Sequence, residues 1–224
     1  MVEEFNIMPF NFTELREISC VCGQKKRVNT MTAIRLAQMS PHVRLGQFLI
    51  IANSVKRKEA WKKFAHPTYI NDPSLELLEE ITKSQMDVTQ EYKSAGKNVP
   101  PELHLTLIID NCKEIMQSKE MEHFLLRARH LKIDIIFTMK DENLQLIRPR
   151  IRQQITNYFV TSKIDDISKM LQFIEDKEIK KQIKFIIDGF FQNRAVLILN
   201  CCSNPKTILN TCFYFNKAEF LFLI

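Results

Sequence analysis

The sequence predicts an α/β protein built around a central, mostly parallel β-sheet. Short apolar runs with the composition of buried strands alternate with longer segments of helical periodicity, which is typical of successive βαβ units. Hydrophobic residues make up 45% of the 224 residues, enough to bury a full core. The chain has only 4 glycines, so positions that need unusual backbone angles have either been lost or been filled by other residues.

Each predicted strand is a largely apolar run. The predicted strands are 18–22, 45–52, 103–110, 133–138, 156–161, 194–200 and 208–215. The predicted helices are 31–39, 56–65, 73–92, 118–131, 165–173 and 176–185, and 146–155 is a basic helix or turn. Residues 1–16 are expected to form an N-terminal arm, and residues 17–224 a single domain.

The charge balance permits contact with nucleic acid but does not require it. Lysine and arginine number 32 against 26 acids, which gives a formal net charge of +6 and a pI near 9.0. The basic helix 56–65 is interpreted as packing on the sheet through Trp61 and Phe64 with its lysines in solvent, in preference to reading DNA.

Cysteine usage and hydropathy indicate the environment of the chain. None of the six cysteines forms a C-x-x-C pair or a zinc-ligand pattern with histidine, which favours a reducing, intracellular compartment. The N-terminal residues lack the pattern of a secretory signal, and no apolar run reaches about 18 residues, so no membrane insertion is expected.

The segment 18–36 has the character of a strand, a turn and the start of a helix. Residues 23–30 fit the frame of the phosphate-loop pattern G-x-x-x-x-G-K-[ST], with Gly23 first and Thr30 last. In that pattern, backbone N–H groups and a lysine hold nucleotide phosphates, and the Ser/Thr hydroxyl binds magnesium.

Two residues depart from the phosphate-loop pattern. Val28 stands at the second glycine, where it adds a Cβ atom, and Asn29 stands at the lysine, where it removes the positive charge. Lys25, Lys26 and Arg27 lie inside the loop and offer positive charge from other positions. A glycine after a strand is common in α/β proteins, so the frame by itself does not distinguish a phosphate loop from an ordinary turn.

A second motif closes the apolar run 105–110. This run has the form of a Walker B strand, in which apolar residues end at an acid that holds the magnesium shell, here Asp110. Motor ATPases usually place a second acid next to polarise the attacking water, but the next residue is Asn111. An amide can orient water but is a poor proton acceptor. A buried strand whose aspartate caps the following turn is the alternative interpretation.

A third group of residues follows in the same order as in known motors. The pair Arg129 and His130 precedes one predicted strand, and Arg152 precedes the next. With these motifs in this order, the sequence resembles the genome-packaging ATPases of large DNA viruses, the poxvirus-type members of the FtsK/HerA superfamily of P-loop NTPases. The resemblance covers about residues 8–200, and the segments 8–11 and 48–64 agree with it.

The resemblance implies a RecA-like fold of the ASCE P-loop NTPase class, a three-layer sandwich around a mostly parallel sheet. It implies that any bound nucleotide is ATP with Mg²⁺, held by a degenerate phosphate loop and by the Walker B acid. The residues at phosphate-loop positions are Gly23, Lys25, Lys26, Asn29 and Thr30, and those at magnesium positions are Thr30 and Asp110. Asn29, Asn111 and Lys140 stand where the family has a lysine, usually a second acid, and commonly a glutamine that senses the γ-phosphate.

These three replacements affect groups that act on the same phosphate. Phosphoryl transfer is catalysed mainly by positioning and charge stabilisation, and losing one such group commonly costs about 2.7–4 kcal/mol. We therefore expect a catalytically inactive relative that acts as a binding or structural subunit. One alternative is an active DNA-packaging translocase that uses Lys25 or Lys26. Another is an interaction protein unrelated to motors, which a strand order other than 5-1-4-3-2 would support.

Arginines supply the candidate contacts to nucleic acid or to a neighbouring subunit. They are Arg127, Arg129, Arg148, Arg150 and Arg152, together with His130. A solvated face beside a sheet edge is the alternative interpretation of this set. The resemblance implies DNA and a homo- or hetero-oligomeric ring of motor subunits as partners, and the host cytoplasm, the nucleus or the virion as the location.

Overall fold

The computed structural model describes residues 18–162, 164, 177–178, 180–181, 184, 195–200 and 212–216. In this part of the chain, eight strands form one sheet. They are β1 (Ile18–Cys22), β2 (Phe48–Ala52), β3 (Ile70–Asn71), β4 (Leu105–Asp110), β5 (Ile133–Met139), β6 (Asn157–Val160), β7 (Ala195–Asn200) and β8 (Cys212–Asn216). The predicted arm 1–16 and helix 165–173 lie outside the described residues, as does much of the predicted helix 176–185.

The strand order in the sheet is β3-β2-β4-β5-β1-β6-β7-β8. The strands from β3 to β6 in this series are parallel, and β7 and β8 extend one edge in antiparallel fashion. When β1, β2, β4, β5 and β6 are numbered one to five along the chain, their arrangement is 5-1-4-3-2. This is the RecA-like order, so the predicted fold is confirmed, and the strand order does not support a protein unrelated to motors.

Helices cover both faces of the sheet. They are α1 (Lys26–Met39), α2 (Pro41–Arg44), α3 (Val55–Lys62), α4 (Leu75–Ser94), α5 (Lys113–Met116), α6 (Lys119–Ala128), α7 (Asp141–Leu144) and α8 (Pro149–Gln154). Serine side chains cap the two longest helices on one face: Ser74 Oγ accepts from the Leu77 N–H at the start of α4, and Ser118 Oγ accepts from the Met121 N–H at the start of α6.

The two faces of the sheet bury separate cores, because successive side chains of a strand point to opposite faces. In β1, Cys20 and Cys22 belong to the core shared with α4, α6 and α8, whereas Val21 belongs to the core shared with α1 and α3. In β4, Leu107 and Ile108 divide between the two cores in the same way. The result is a three-layer sandwich with the sheet in the middle.

Several predicted boundaries are corrected. Helix α1 begins at Lys26, five residues before the predicted start at 31, because the polar residues ahead of that point form an exposed helical turn. The predicted element 146–155 contains α8, and a separate short helix, α7, precedes it. Strand β3, with two residues, and helices α2, α5 and α7, with four residues each, were not predicted because they are too short for a periodic pattern.

The carboxyl ends of the central parallel strands meet at one edge of the sheet. Asp110 at the end of β4 is opposite Thr138 of β5, and Cys22 at the end of β1 is opposite Met139 of β5 and Val160 of β6. In open α/β sheets, ligands bind outside the carboxyl ends of the strands. All the motif residues predicted around the first strand and the Walker B run lie at this edge.

Candidate functional site

Asp110 is the last residue of β4 and is completely buried. Four side chains donate hydrogen bonds to its carboxylate, and they occupy both oxygens. Arg57 Nη1 lies 2.6 Å from Oδ1, and the Thr138 hydroxyl also donates to Oδ1. Thr30 Oγ1 and Trp61 Nε1 each lie 2.9 Å from Oδ2. The acid predicted to hold magnesium is therefore surrounded by donors that belong to the protein.

Arg57 and Trp61 reach Asp110 because they lie one helical turn apart on α3. Helix α3 begins shortly after β2, and Ala52 of β2 is opposite Asp110 of β4. From the sequence, Trp61 is predicted only to pack on the sheet, and no role is predicted for Arg57. A signal was present: a fully buried carboxylate requires a cation or several donors, and Arg57 is the arginine in a helix whose other cations are lysines.

Asn29, at the position of the lysine in the phosphate-loop pattern, is buried and holds three strand ends together. Its Nδ2 donates to the carbonyl oxygens of Gly23 at 2.9 Å and Met139 at 2.8 Å. Its Oδ1 accepts from the Thr161 hydroxyl at 2.6 Å. The side chain thus links the turn after β1 to the ends of β5 and β6, and it does not point toward open space.

Most of the predicted phosphate loop is helical. The turn after β1 comprises residues 23–25, and Lys26 already lies in α1. The backbone N–H of Asn29 donates to the Lys25 carbonyl at 3.1 Å, which is an ordinary helical hydrogen bond, so this N–H is not available to a phosphate. Val28 lies inside the helix, and among the described non-glycine residues only Asn111 and Lys132 have positive φ angles. The Cβ atom that Val28 adds at the position of the second glycine therefore causes no backbone strain.

Gly23 is needed for close packing against the end of β6. A Cβ atom at this position would overlap Thr161 Oγ1 and would lie 2.7 Å from Ser162 Oγ. The Ser162 hydroxyl accepts from the Gln24 N–H at 2.8 Å, so the turn is fixed against this segment. The glycine of the motif therefore has a structural reason in this chain that does not involve a phosphate.

Replacing Gly23 by alanine is expected to lower the free energy of unfolding by about 1–3 kcal/mol, the usual cost of overpacking a filled site. Gly96→Ala is the matched control, because nothing lies within 4 Å of its added Cβ and only the positive φ opposes the change. Urea unfolding of both variants measures the difference. Equal destabilisation would contradict the close packing at Gly23.

Asn111 has a structural reason to be asparagine. Its φ of 56° lies in the left-handed region, which asparagine tolerates better than most residues. Its N–H donates to the Thr138 carbonyl at 3.1 Å, and its own carbonyl accepts from Asn53 Nδ2 at 2.9 Å. Lys132, with φ 58°, is the other described non-glycine residue of this kind, so the scarcity of glycine is partly offset by these two residues.

A cleft of about 980 Å³ opens beside this site, between α1 and α3. Thr30, Arg57 and Asn111 line it together with apolar side chains such as Ile34 and Phe64. Its cationic lining residues are Lys26, Arg27, Lys56, Arg57 and Lys63, and Glu59 is the acid among the lining residues. The cleft is therefore strongly basic. Lys140 does not line it and instead pairs with Glu142 at 3.0 Å.

The residues predicted to bind Mg²⁺ do not fit that ion as they are arranged. Arg57 Nη1 lies 2.6 Å from Asp110 Oδ1 and 3.4 Å from Thr30 Oγ1, and Thr30 Oγ1 itself lies 2.9 Å from Asp110 Oδ2, so the two side chains that would have to share the metal bond to each other and to a cation. Magnesium requires oxygen ligands at about 2.0–2.1 Å in octahedral geometry. The carboxylate already accepts from four donors, and the guanidinium would repel a second cation.

The predicted arginine cluster is partly neutralised within the chain. Arg148 Nε and Arg150 Nη1 each lie 3.3 Å from a carboxylate oxygen of Glu122, which is buried on α6. Arg152 Nη1 donates to the Ile147 carbonyl at 3.0 Å. The remaining candidates, Arg127, Arg129 and His130, are exposed near the end of α6.

Three described cysteines are free thiols, and all three are buried: Cys20, Cys22 and Cys112. Burial, reinforced by the charge of Asp110, raises the pKa of the Cys112 thiol to about 12. This thiol is therefore protonated at neutral pH and does not serve as a nucleophile. In the part of the chain that the structure describes, no helix has both the length and the apolar character needed to cross a bilayer.

No protein-family model matches the sequence, and no curated protein gives a significant match. Solved structures do match in fold. The genome-packaging NTPase B204 from Sulfolobus turreted icosahedral virus 2, in complex with ATP-gammaS, gives a TM-score of 0.56 at 13% identity, covering 91% of this chain and 98% of the viral chain. Its complex with AMPPCP gives 0.55 at 13% identity, covering 91% and 98%. EssC (ATPases 2 and 3) from Geobacillus thermodenitrificans gives 0.53 at 14% identity, covering 75% of this chain and 36% of that chain.

These similarities show the fold. The chain has the RecA-like α/β architecture of P-loop ATPases, and its structural neighbours include a viral genome-packaging NTPase, as the resemblance in the sequence predicted. At 13–14% identity the neighbours show the fold and do not transfer an activity to this chain.

Proposed function

We propose that this chain is a packaging-ATPase-like protein that has kept the motor fold, does not hydrolyse ATP, and acts as a binding or structural subunit. The observation that carries the proposal is the state of Asp110. Its carboxylate accepts from Thr30, Arg57, Trp61 and Thr138, so the acid that organises metal and water in an active motor is part of the folded core here.

The other motif positions support the same proposal. Asn29 uses both atoms of its amide to hold strand ends, Asn111 supplies a left-handed turn, and Lys140 is ion-paired with Glu142. The residues that replace the lysine, the second acid and the γ-phosphate sensor thus each have a partner or a backbone role within this chain. A degenerate phosphate loop whose residues have become structural is what loss of hydrolysis would leave behind.

ATP hydrolysis is the direct test. With Mg²⁺, with and without DNA, turnover is expected to stay below about 10⁻² s⁻¹, because typical values near 10 s⁻¹ fall about 10²–10³-fold for the loss of one charge-stabilising group and three groups are replaced here. Phosphate release by the purified protein measures it. A rate of phosphate release that rises in proportion to the protein concentration and disappears in the Lys25→Ala/Lys26→Ala variant would contradict the proposal and favour an active enzyme. Both lysines are exposed, so this variant should fold.

We further propose that the exposed end of α6 contacts DNA or a neighbouring subunit in a ring, within an intracellular compartment or the virion. Arg127, Arg129 and His130 are the contact candidates because they are exposed, with Arg148 and Arg150 beside Glu122 as further candidates. The three buried free thiols among the described cysteines suit a reducing compartment.

If DNA is the partner, its affinity is expected to fall at least about tenfold between about 50 and 200 mM salt, because neutralised phosphates release counterions. The Arg127→Gln/Arg129→Gln variant should weaken binding and flatten this dependence, whereas Lys93→Gln/Lys97→Gln on and after α4 should not. Fluorescence anisotropy with a short duplex measures both. A salt-independent affinity would exclude DNA as the partner of this surface and favour contact with a neighbouring subunit.

A further inference from the structure

Arg57 keeps part of its guanidinium group unpaired at the base of the cleft. The residue is 9% exposed, and its hydrogen bonds in the described part of the chain all involve Nη1, with Asp110 and Thr30 as acceptors. Its Nε–H and Nη2–H groups have no protein acceptor there, and the residue lines the cleft. This nearly buried cation thus presents hydrogen-bond donors without a protein acceptor to a ligand that enters the cleft.

Four more cations line the cleft, and none has an ion-pair partner within the described ranges: Lys26, Arg27, Lys56 and Lys63. The acid in the lining, Glu59, pairs with Lys62 at 2.6 Å. Lys26 and Arg27 stand in the first turn of α1, where positive charge is unfavourable against the helix dipole unless an anion lies nearby. The cleft therefore combines several uncompensated charges in one concave surface.

The chemistry of these groups favours phosphate. A guanidinium offers several donors in fixed geometry to phosphate oxygens, and lysines serve as mobile point charges along a phosphate chain. The cleft, about 980 Å³, has room for several linked phosphates, and its volume is in the range of small-molecule sites. Its apolar lining at Ile34, Ala60 and Phe64 leaves space for a less polar part of the ligand.

We propose that the cleft between α1 and α3 is a metal-independent binding site for a polyphosphate anion, in which Arg57 supplies the charge that Mg²⁺ would otherwise supply. Arg57 Nη1 contacts both Asp110 Oδ1 and Thr30 Oγ1, the two groups that would have to bind a metal, so the site has its own resident cation. The ligand is defined by linked phosphate groups, whether these belong to a free polyphosphate or nucleotide or to a nucleic acid strand. The inference does not depend on the absence of hydrolysis.

Calorimetric titration of the full chain with inorganic triphosphate tests the site. Binding is expected in EDTA, and excess Mg²⁺ should leave it unchanged or weaken it, because Mg²⁺ neutralises the probe. Absence of binding at millimolar probe, or binding that appears only with Mg²⁺, would overturn the proposal. Parallel titrations with ATP and with a single-stranded oligonucleotide distinguish a free polyphosphate or nucleotide from a nucleic acid strand as the preferred source.

A charge variant locates the site. Lys56→Gln/Lys63→Gln removes two exposed cations from the cleft and should weaken triphosphate binding about five- to tenfold, as two partly screened charge contacts would. Lys93→Gln/Lys97→Gln removes the same charge outside the cleft and should leave binding within about twofold. Equal weakening in both variants would mean that only net charge matters and would overturn the assignment.

The role of Arg57 has its own measurement. Mn²⁺ binding is measured by electron paramagnetic resonance in the absence of other ligands. The unmodified chain should show no Mn²⁺ site that depends on Asp110, so Asp110→Asn should not reduce Mn²⁺ binding. In Arg57→Met, if folded, the competing cation is removed from Asp110 Oδ1 and Thr30 Oγ1, and Mn²⁺ binding should appear. A Mn²⁺ site in the unmodified chain that depends on Asp110, or a folded Arg57→Met variant without one, would overturn the substitution of arginine for metal. If Arg57→Met does not fold, the test is the Mn²⁺ measurement on the unmodified chain, where a site that depends on Asp110 would overturn the proposal.

Discussion

Asp110→Ala is expected to lower the free energy of unfolding by about 3–5 kcal/mol, the range for removing one partner of a buried ion pair. The change leaves the nearly buried Arg57 without its counter-ion, and it leaves the donors of Thr30, Trp61 and Thr138 without their acceptor. In an active motor the corresponding acid would take part in ATP hydrolysis, and its loss would mainly lower turnover. Here the main loss should be stability, measured by urea unfolding.

The matched control is Asp87→Ala, which removes an exposed carboxylate from α4 and should change stability by no more than about 0.5 kcal/mol. A double-mutant cycle with Arg57→Met isolates the ion pair, since residues in contact couple by about 0.5–3 kcal/mol. The double variant should be clearly less destabilised than the sum of the single variants. If Asp110→Ala cost less than about 1 kcal/mol, the carboxylate would not be part of the folded core.

Most of the sheet could be predicted because each central strand is a continuous apolar run. Residues 105–110 illustrate this: both faces of the strand are buried, so the whole run is apolar and its end is marked by Asp110. The start of α1 was placed too late for the opposite reason. Lysine and arginine at positions 25–27 are good helix formers that stay in solvent, and such residues fit a loop as well as an exposed helical turn.

The candidate site could be predicted only in part. Thr30 and Asp110 follow from motif spacing, and the structure brings them within 2.9 Å of each other. Arg57 and Trp61 lie 53 and 49 residues from Asp110 along the chain, and no local pattern distinguishes an inward arginine from the solvated lysines beside it. Finding them requires the strand order, which places α3 over the end of β4. Tertiary contacts of this kind decide whether a motif residue faces a ligand or the core.

Asn29→Lys, which restores the lysine of the phosphate-loop pattern, is expected to lower the free energy of unfolding by at least about 3 kcal/mol and not to restore hydrolysis. The site of Asn29 is 1% exposed, and its three neighbouring groups, the carbonyls of Gly23 and Met139 and the hydroxyl of Thr161, match an amide. Gln24→Lys adds the same charge to an exposed position of the same turn and should be nearly neutral.

Asn29→Ala separates the two causes of the expected loss of stability in Asn29→Lys, which are the removal of the amide hydrogen bonds and the burial of a positive charge. It removes the amide without adding charge, so it should cost about 1–3 kcal/mol for groups left unsatisfied, less than the lysine variant. Urea unfolding ranks the variants, and phosphate release tests activity. A stable Asn29→Lys protein that hydrolyses ATP would mean that the turn after β1 can still open into a phosphate loop, and that this single residue had silenced the site. The expected ranking, with lysine costing more than alanine and alanine itself destabilising, would mean that Asn29 and its hydrogen bonds have fixed the turn as part of the core.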